Sequence, residues 1–286
     1  MKLSQENGLR VITAKRAGFC FGVKRAVEMA FDAARGRDGV FTLGPIIHNP
    51  QVIERLKVQG VLATDDIDDG RINMLIVRTH GIPQNLSERL GHKKYEVVDA
   101  TCPFVKKAQQ YAKLLKQEGY QVVIIGDNEH PEVRGLVSYG GDDVVVVNKG
   151  DALPHLKSKV GIVVQTTQPV STLEKFVSEA VRRAKELKVF NTICNSTALR
   201  LKETEEMARN VDAMIVVGGK NSANTSQLAR LCLSLGIPTY HVETAAEIEQ
   251  DWLAGVHTVG ITAGASTPDW IIREVQESIR DRGGKV

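Results

Sequence analysis

Three segments of this chain repeat one another, and that repeat constrains the fold more than any single motif. A cysteine opens each segment, at Gly18-Phe19-Cys20, Ala100-Thr101-Cys102 and Thr192-Ile193-Cys194. In every case a short apolar run ends in glycine 24 residues after the cysteine, at Gly44, Gly126 and Gly218. Between the two, apolar residues recur at helical spacing. They are Val23, Ala26, Val27, Ala30 and Phe31 in the first segment and Val105, Ala108, Ala112 and Leu115 in the second. A weaker stripe in the third is Ala198, Leu201, Ala208 and Val211. Each repeat thus begins cysteine, helix, buried strand.

The likeness continues downstream. Four residues past each glycine stand His48, His130 and Ser222. Short strands follow at 61–63, 144–147 and 239–242. A third apolar run then ends in polar residues, a proline and a helix start: Arg78-Thr79-His80 to Pro83, Gln165-Thr166-Thr167 to Pro169, and Thr262 through Ser266 to Pro268. Alternating strands and helices predict parallel sheets with right-handed crossovers. The expected fold is α/β: three similar parallel-sheet lobes in a pseudo-threefold trefoil. The expected lobes are 15–101, 102–193 and 194–286, the last completed by a strand within 1–14, each near the lower part of the usual domain range.

In open parallel sheets, ligands bind beyond the carboxyl ends of the strands. Pseudo-threefold packing would bring Cys20, Cys102 and Cys194 together, with His48, His130 and Ser222 around them and His80, Thr166 and Ser266 near by. A core position tolerates exchange among Val, Ala and Ile, so three retained thiols point to ligands. Cys232, in Leu231-Cys232-Leu233, lies outside the repeat and reads as helix core. Three thiolates suit a zinc ion with one open position or a 4Fe-4S cluster with one open iron. Spacing leaves both open.

Two small-residue turns at helix starts, 218–224 and 263–266, suit an anion such as a diphosphate. The first lacks the spacing of a nucleotide P-loop. Glu132 reads equally as a carboxylate stabilised by a helix dipole or as a proton donor. His92, His155, His241 and His257 match no repeat position and read as surface or structural.

Composition narrows the partners. With 37 basic and 34 acidic residues the net charge is +3, which argues against a general nucleic-acid binder. No run of about 18 apolar residues is present, and the first ten residues are polar, so no membrane span and a cytoplasmic location are expected. Four cysteines far apart in a reducing compartment are not a disulfide framework.

The residues that carry the repeat also carry a resemblance. They are Ala17-Gly18-Phe19-Cys20-Phe21-Gly22-Val23, Leu43-Gly44 with His48-Asn49, Arg78-Thr79-His80-Gly81, Asp99-Ala100-Thr101-Cys102-Pro103, His130-Pro131-Glu132-Val133, Gln165-Thr166-Thr167, Asn221-Ser222 with Asn224, and Thr262-Ala263-Gly264-Ala265-Ser266. Over essentially its whole length the chain resembles the 4-hydroxy-3-methylbut-2-enyl diphosphate reductase family of the non-mevalonate isoprenoid pathway.

The resemblance implies a trefoil around one 4Fe-4S cluster held by Cys20, Cys102 and Cys194, with one iron open. It implies a diphosphate site of His48, His80, His130, Ser222, Asn224 and Ser266, with Ala223 offering its amide where some members have serine. Glu132 would deliver protons, relayed through Thr166, beside His130. Electrons would come from a donor such as ferredoxin or flavodoxin. Leu201 departs from the family pattern after Cys194, where Gln is usual. The rival reading is a non-redox dehydratase or condensing enzyme of quinolinate synthase type, which shares the plan of three lobes and three cysteines.

Overall fold

The structure, a computed structural model, describes residues 9–47 and 49–283. The chain opens with β1 (Arg10–Thr13). The first repeat runs α1 (Phe21–Ala34), β2 (Val40–Leu43), α2 (Pro50–Val58), β3 (Val61–Thr64), β4 (Met74–Val77), α3 (Gln84–Leu90) and β5 (Glu96–Asp99). The second runs α4 (Pro103–Gln117), β6 (Gln121–Ile125), α5 (Pro131–Gly140), β7 (Val145–Val147), β8 (Lys159–Val164), α6 (Val170–Val181) and β9 (Glu186–Val189). The third runs α7 (Asn195–Ala208), β10 (Ala213–Val217), α8 (Ala223–Ser234), β11 (Thr239–Val242), β12 (Thr258–Ala263) and α9 (Asp269–Gly283).

Among the described residues the strands form three four-stranded parallel sheets, ordered β3-β2-β4-β5, β7-β6-β8-β9 and β11-β10-β12-β1. The order is the same in each. The chain leaves the first strand of a sheet to one side, then returns across it to the other. That reversal opens a crevice beyond the ends of the two central strands. The central pairs end in register at Leu43 with Val77, Ile125 with Val164, and Val217 with Ala263. Residues just past these pairs are the predicted site residues.

The central strands are apolar because both their faces are covered. β2, β4 and β10 are buried along their whole length. Helices cover them with the stripes read from the sequence; in α4 these are Val105, Ala108, Ala112 and Leu115, all buried. No helix among the described residues is long and apolar enough to cross a membrane.

The chain divides into two compact units. One, 1–23 with 47–54 and 196–286, carries the sheet that holds β1 and β12. The other, 24–46 with 55–195, carries the remaining two sheets.

Two details differ from the sequence reading. The edge strands β5 and β9 were not expected, yet they hold in their sheets the place that β1 holds in its own. Each is short, and most of its residues are exposed or half-buried, so it lacks the apolar run that marks a central strand. Pro83 and Pro169 stand one residue before their helices, at the cap rather than in the first turn. A residue without an N–H suits either place, because the first helical amides have no partner within the helix.

Candidate functional site

Within the two-sheet unit, the loops after β6 and β8 meet at the mouth of their crevice. The Gln165 side-chain oxygen accepts the Asp127 N–H at 2.9 Å and ties one loop to the other. His130 caps α5, its Nδ1 accepting the Glu132 N–H at 3.1 Å, and Pro131 fills the first helical position. This places Glu132 in the first turn but turned inward, 2% exposed. Its carboxylate accepts the Thr166 N–H at 2.7 Å and the Thr166 hydroxyl at 2.9 Å. Burial pushes the Glu132 pKa up to about 7, against the two Thr166 bonds that pull it down. Glu132 thus keeps the first-turn position of the dipole reading and has the burial and raised pKa that suit the proton-donor reading.

His80, in the turn after β4, sets its ring edge-on to His130 with centroids 5.3 Å apart. The backbone brings two cysteines to the same group. The Cys194 N–H donates to the Thr166 carbonyl at 2.8 Å, and the Cys102 N–H to the Thr79 carbonyl at 3.0 Å, next to His80. His80, His130, Glu132, Thr166, Cys102 and Cys194 thus belong to one connected set.

The other unit carries a second set at the ends of β10 and β12. Ser222 caps α8, its hydroxyl accepting the Thr225 N–H at 3.4 Å. Ala223 is the first residue of α8, and Asn224, the second, is half-buried. Ser266 is half-buried in the turn after β12, and the Cys20 N–H donates to the carbonyl of its neighbour Ala265 at 3.2 Å.

Two glycines allow α8 to approach this turn. A Cβ on Gly264 would fall 2.1 Å from Thr225 Oγ1, and one on Gly218 2.3 Å from Thr267 Oγ1. Not all amides of the glycine turn face outward. The Lys220 N–H donates to Glu243 at 2.7 Å and the Ser222 N–H to the Gly219 carbonyl at 2.9 Å. In the same unit Asn49 caps α2, its side-chain oxygen accepting the Val52 N–H at 2.9 Å. His48 lies outside the described residues.

The cysteines fall into two kinds. Cys20 directly precedes α1, Cys102 caps α4 and Cys194 directly precedes α7, and all three are half-buried. Helix N-termini carry partial positive charge, which suits an anionic ligand set. Cys232, inside α8, is fully buried, and burial raises its pKa to about 11. Three half-buried thiols at helix starts have the donor chemistry an iron–sulfur group takes, although among the described residues no three such side chains are close enough to hold a metal ion; the fourth fits packing alone.

The site residues read from the sequence leave out Gln165, Thr225 and Thr267, whose bonds hold these loops. One signal was available for Gln165. It follows the third strand of its repeat, as Arg78 and Gly264 follow theirs.

Three parallel sheets of one strand order, each with a half-buried cysteine at a helix start and polar residues past its central strands, define an α/β fold of three like repeats. A family profile described as LytB protein matches residues 11–280, and the chain belongs to that family, which is iron–sulfur dependent. The 4-hydroxy-3-methylbut-2-enyl diphosphate reductase of Pelobacter propionicus is 55% identical over 273 residues, covering 95% of this chain and 98% of the relative. That of Geobacter sulfurreducens is 51% identical over 280 residues, covering 97% and 99%. A solved structure of (E)-4-hydroxy-3-methyl-but-2-enyl diphosphate reductase, described as the terminal enzyme of the non-mevalonate pathway, is 44% identical with a TM-score of 0.78. It covers 96% of this chain and 99% of its own.

Proposed function

We propose that this chain reduces (E)-4-hydroxy-3-methylbut-2-enyl diphosphate to isopentenyl and dimethylallyl diphosphate. The reading places this step last in non-mevalonate isoprenoid precursor synthesis. The observation that carries it, beside the named relatives, is a buried carboxyl near neutrality, bonded to Thr166 and next to two histidines. Cys20, Cys102 and Cys194 hold one 4Fe-4S cluster. When bound, that group supplies electrons one at a time and Lewis acidity at the iron no cysteine fills. The lobes 15–101, 102–193 and 194–286 with 1–14 belong to the same proposal.

His48, His80, His130, Ser222, Ala223, Asn224 and Ser266 bind the diphosphate. The reaction consumes two electrons and two protons and releases one water. Glu132 gives one proton to the departing hydroxyl. A group titrating near the working pH is suited to that task, since it is both available and willing to let the proton go. Thr166 now donates to the Glu132 carboxylate. Once Glu132 is protonated the bond can reverse, which frees the threonine O–H to pass a proton on. The second proton goes to either end of the allyl system, giving the two products. The electron donor is of ferredoxin or flavodoxin type, in the cytoplasm. The dehydratase reading needs no electrons, and the relatives named above are reductases.

The test is anaerobic. The reconstituted chain is mixed with the substrate and reduced methyl viologen, and products are identified by mass spectrometry. Two five-carbon diphosphates with two electrons consumed per product are expected. Untouched substrate, or conversion without electron consumption, overturns the proposal. Serine at Cys20, Cys102 or Cys194 should abolish iron retention, whereas Cys232→Ser should keep it.

A further inference from the structure

Arg200, in α7, is a guanidinium only 3% exposed. It donates to three backbone carbonyls: that of Arg16, that of Ala263 at 2.7 Å and that of Gly18 at 2.9 Å. Its Nε is buried without a partner. One turn further along α7, the Glu203 carboxylate accepts the N–H groups of Lys15 at 2.8 Å and Arg16 at 2.9 Å. Between them the two side chains grip both donors and acceptors of 15–18, the segment that leads into Cys20, and fix it to the end of β12. The Thr204 and Thr262 hydroxyls, 2.8 Å apart and buried, hold α7 to the same strand.

Burying a cation against carbonyls alone is costly, and structures keep such a charge where something nearby repays it. Burial lowers the basicity of Arg200, with Arg16 adding to the effect, and negative charge at Cys20 and Glu203 opposes it only in part. An apolar side chain of the same volume would leave the carbonyls of Arg16, Gly18 and Ala263 without this donor.

We infer that Arg200 is a positioning residue that sets both the place and the reduction potential of the iron–sulfur group, through the Cys20 segment and its own buried charge. This rests on the reading of Cys20 as a ligand. A fixed positive charge beside the group favours its reduced form, and Glu203 opposes that effect from one turn away.

The two roles separate by experiment on the full chain. Midpoint potentials are measured by redox titration followed by electron paramagnetic resonance, without substrate, for wild type, R200Q, R200K and E203Q after reconstitution. R200Q should shift to lower potential, E203Q to higher potential, and R200K should stay with wild type. Amide hydrogen exchange is then followed in the cluster-free chains. Residues 15–18 should exchange roughly tenfold faster in both R200Q and R200K, because lysine keeps the charge and loses the fork.

Equal potentials in R200Q and wild type, or shifts of one sign in R200Q and E203Q, overturn the electrostatic role. Unchanged exchange overturns the clamp. E203Q decides the potential should R200Q fail to fold. A wild-type chain that takes up no iron and sulfide refutes Cys20 as a ligand and the electrostatic role with it, and the exchange result then stands or falls on the clamp alone.

Discussion

The ends of β6 and β8 and the ends of β10 and β12 share one backbone plan, and they have been given opposite chemistry. In both, a strand ends in glycine and a capping residue opens a helix four residues later. In the second repeat the cap is His130 and the residue two beyond it is Glu132, buried and held by Thr166. In the third the cap is Ser222 and the same place holds Asn224. The residue directly past the other central strand differs as well: Gln165 ties two loops, whereas Gly264 lets Thr225 come close. The repeat supplies a helix start at a crevice. In the proposed function a single buried carboxyl makes one copy the proton source, and small hydroxyl and amide groups make the other the seat for the diphosphate.

The largest expected effect tests the proton source. Glu132→Gln keeps the shape, since the amide can accept from the Thr166 N–H and donate to its hydroxyl, but it cannot give up a proton. Turnover should fall by about 100-fold or more with substrate binding retained, measured by anaerobic kinetics and calorimetry. A near-normal rate would put the proton source elsewhere.

Stability against pH tests the same carboxyl without substrate. The folded-state pKa is raised from 4.5 to about 7, so the fold prefers the protonated form. Its contribution is fully present below 4.5, is lost as pH rises towards about 7, and changes no further above that. Denaturant titrations should therefore show E132Q gaining on wild type across that window, by on the order of 3 kcal/mol at most. A pH-independent difference would mean that the carboxyl titrates normally.

In the other region, Gly264→Ala forces a methyl against Thr225 Oγ1, and chemical denaturation should show a loss of about 1–3 kcal/mol. Combining it with Thr225→Ala should recover part of that loss; strict additivity would mean the two do not touch. The smallest effect is expected of Ser222→Ala, which removes both the cap and one proposed anion contact. KM should rise roughly tenfold with little change in kcat, the reverse of E132Q. Loss of kcat instead would blur the division of labour between the two regions.

Much of this was legible before any coordinates. The constant spacing from Cys20 to Gly44, Cys102 to Gly126 and Cys194 to Gly218 predicts one sheet plan used three times, because a helix and a buried strand both print strong patterns. β5 and β9 were not legible, since Glu96-Val97-Val98-Asp99 and Glu186-Leu187-Lys188-Val189 are four-residue segments with only two apolar residues each and no buried run. Glu132 could be picked out but not assigned: the same first-turn position serves a solvated carboxylate and a buried acid, and only its 2% exposure separates them. Arg200 was not legible as a clamp, because its partners are the carbonyls of Arg16, Gly18 and Ala263, which no side-chain pattern encodes.

The pairing of β1 with β12 bears on how the protein is made. Arg10 to Thr13 lie in register with Thr258 to Ile261, and Gln276 in α9 donates to Thr13 at 2.5 Å. β1 therefore has no sheet to join until β12 has been synthesised. Contacts so distant in sequence form late. The segment leading to Cys20 waits with it. A nascent chain can complete the sheets of the first two repeats while β1 still awaits its partner strand, so a cluster held as proposed would gain a fixed Cys20 only after the third sheet has closed.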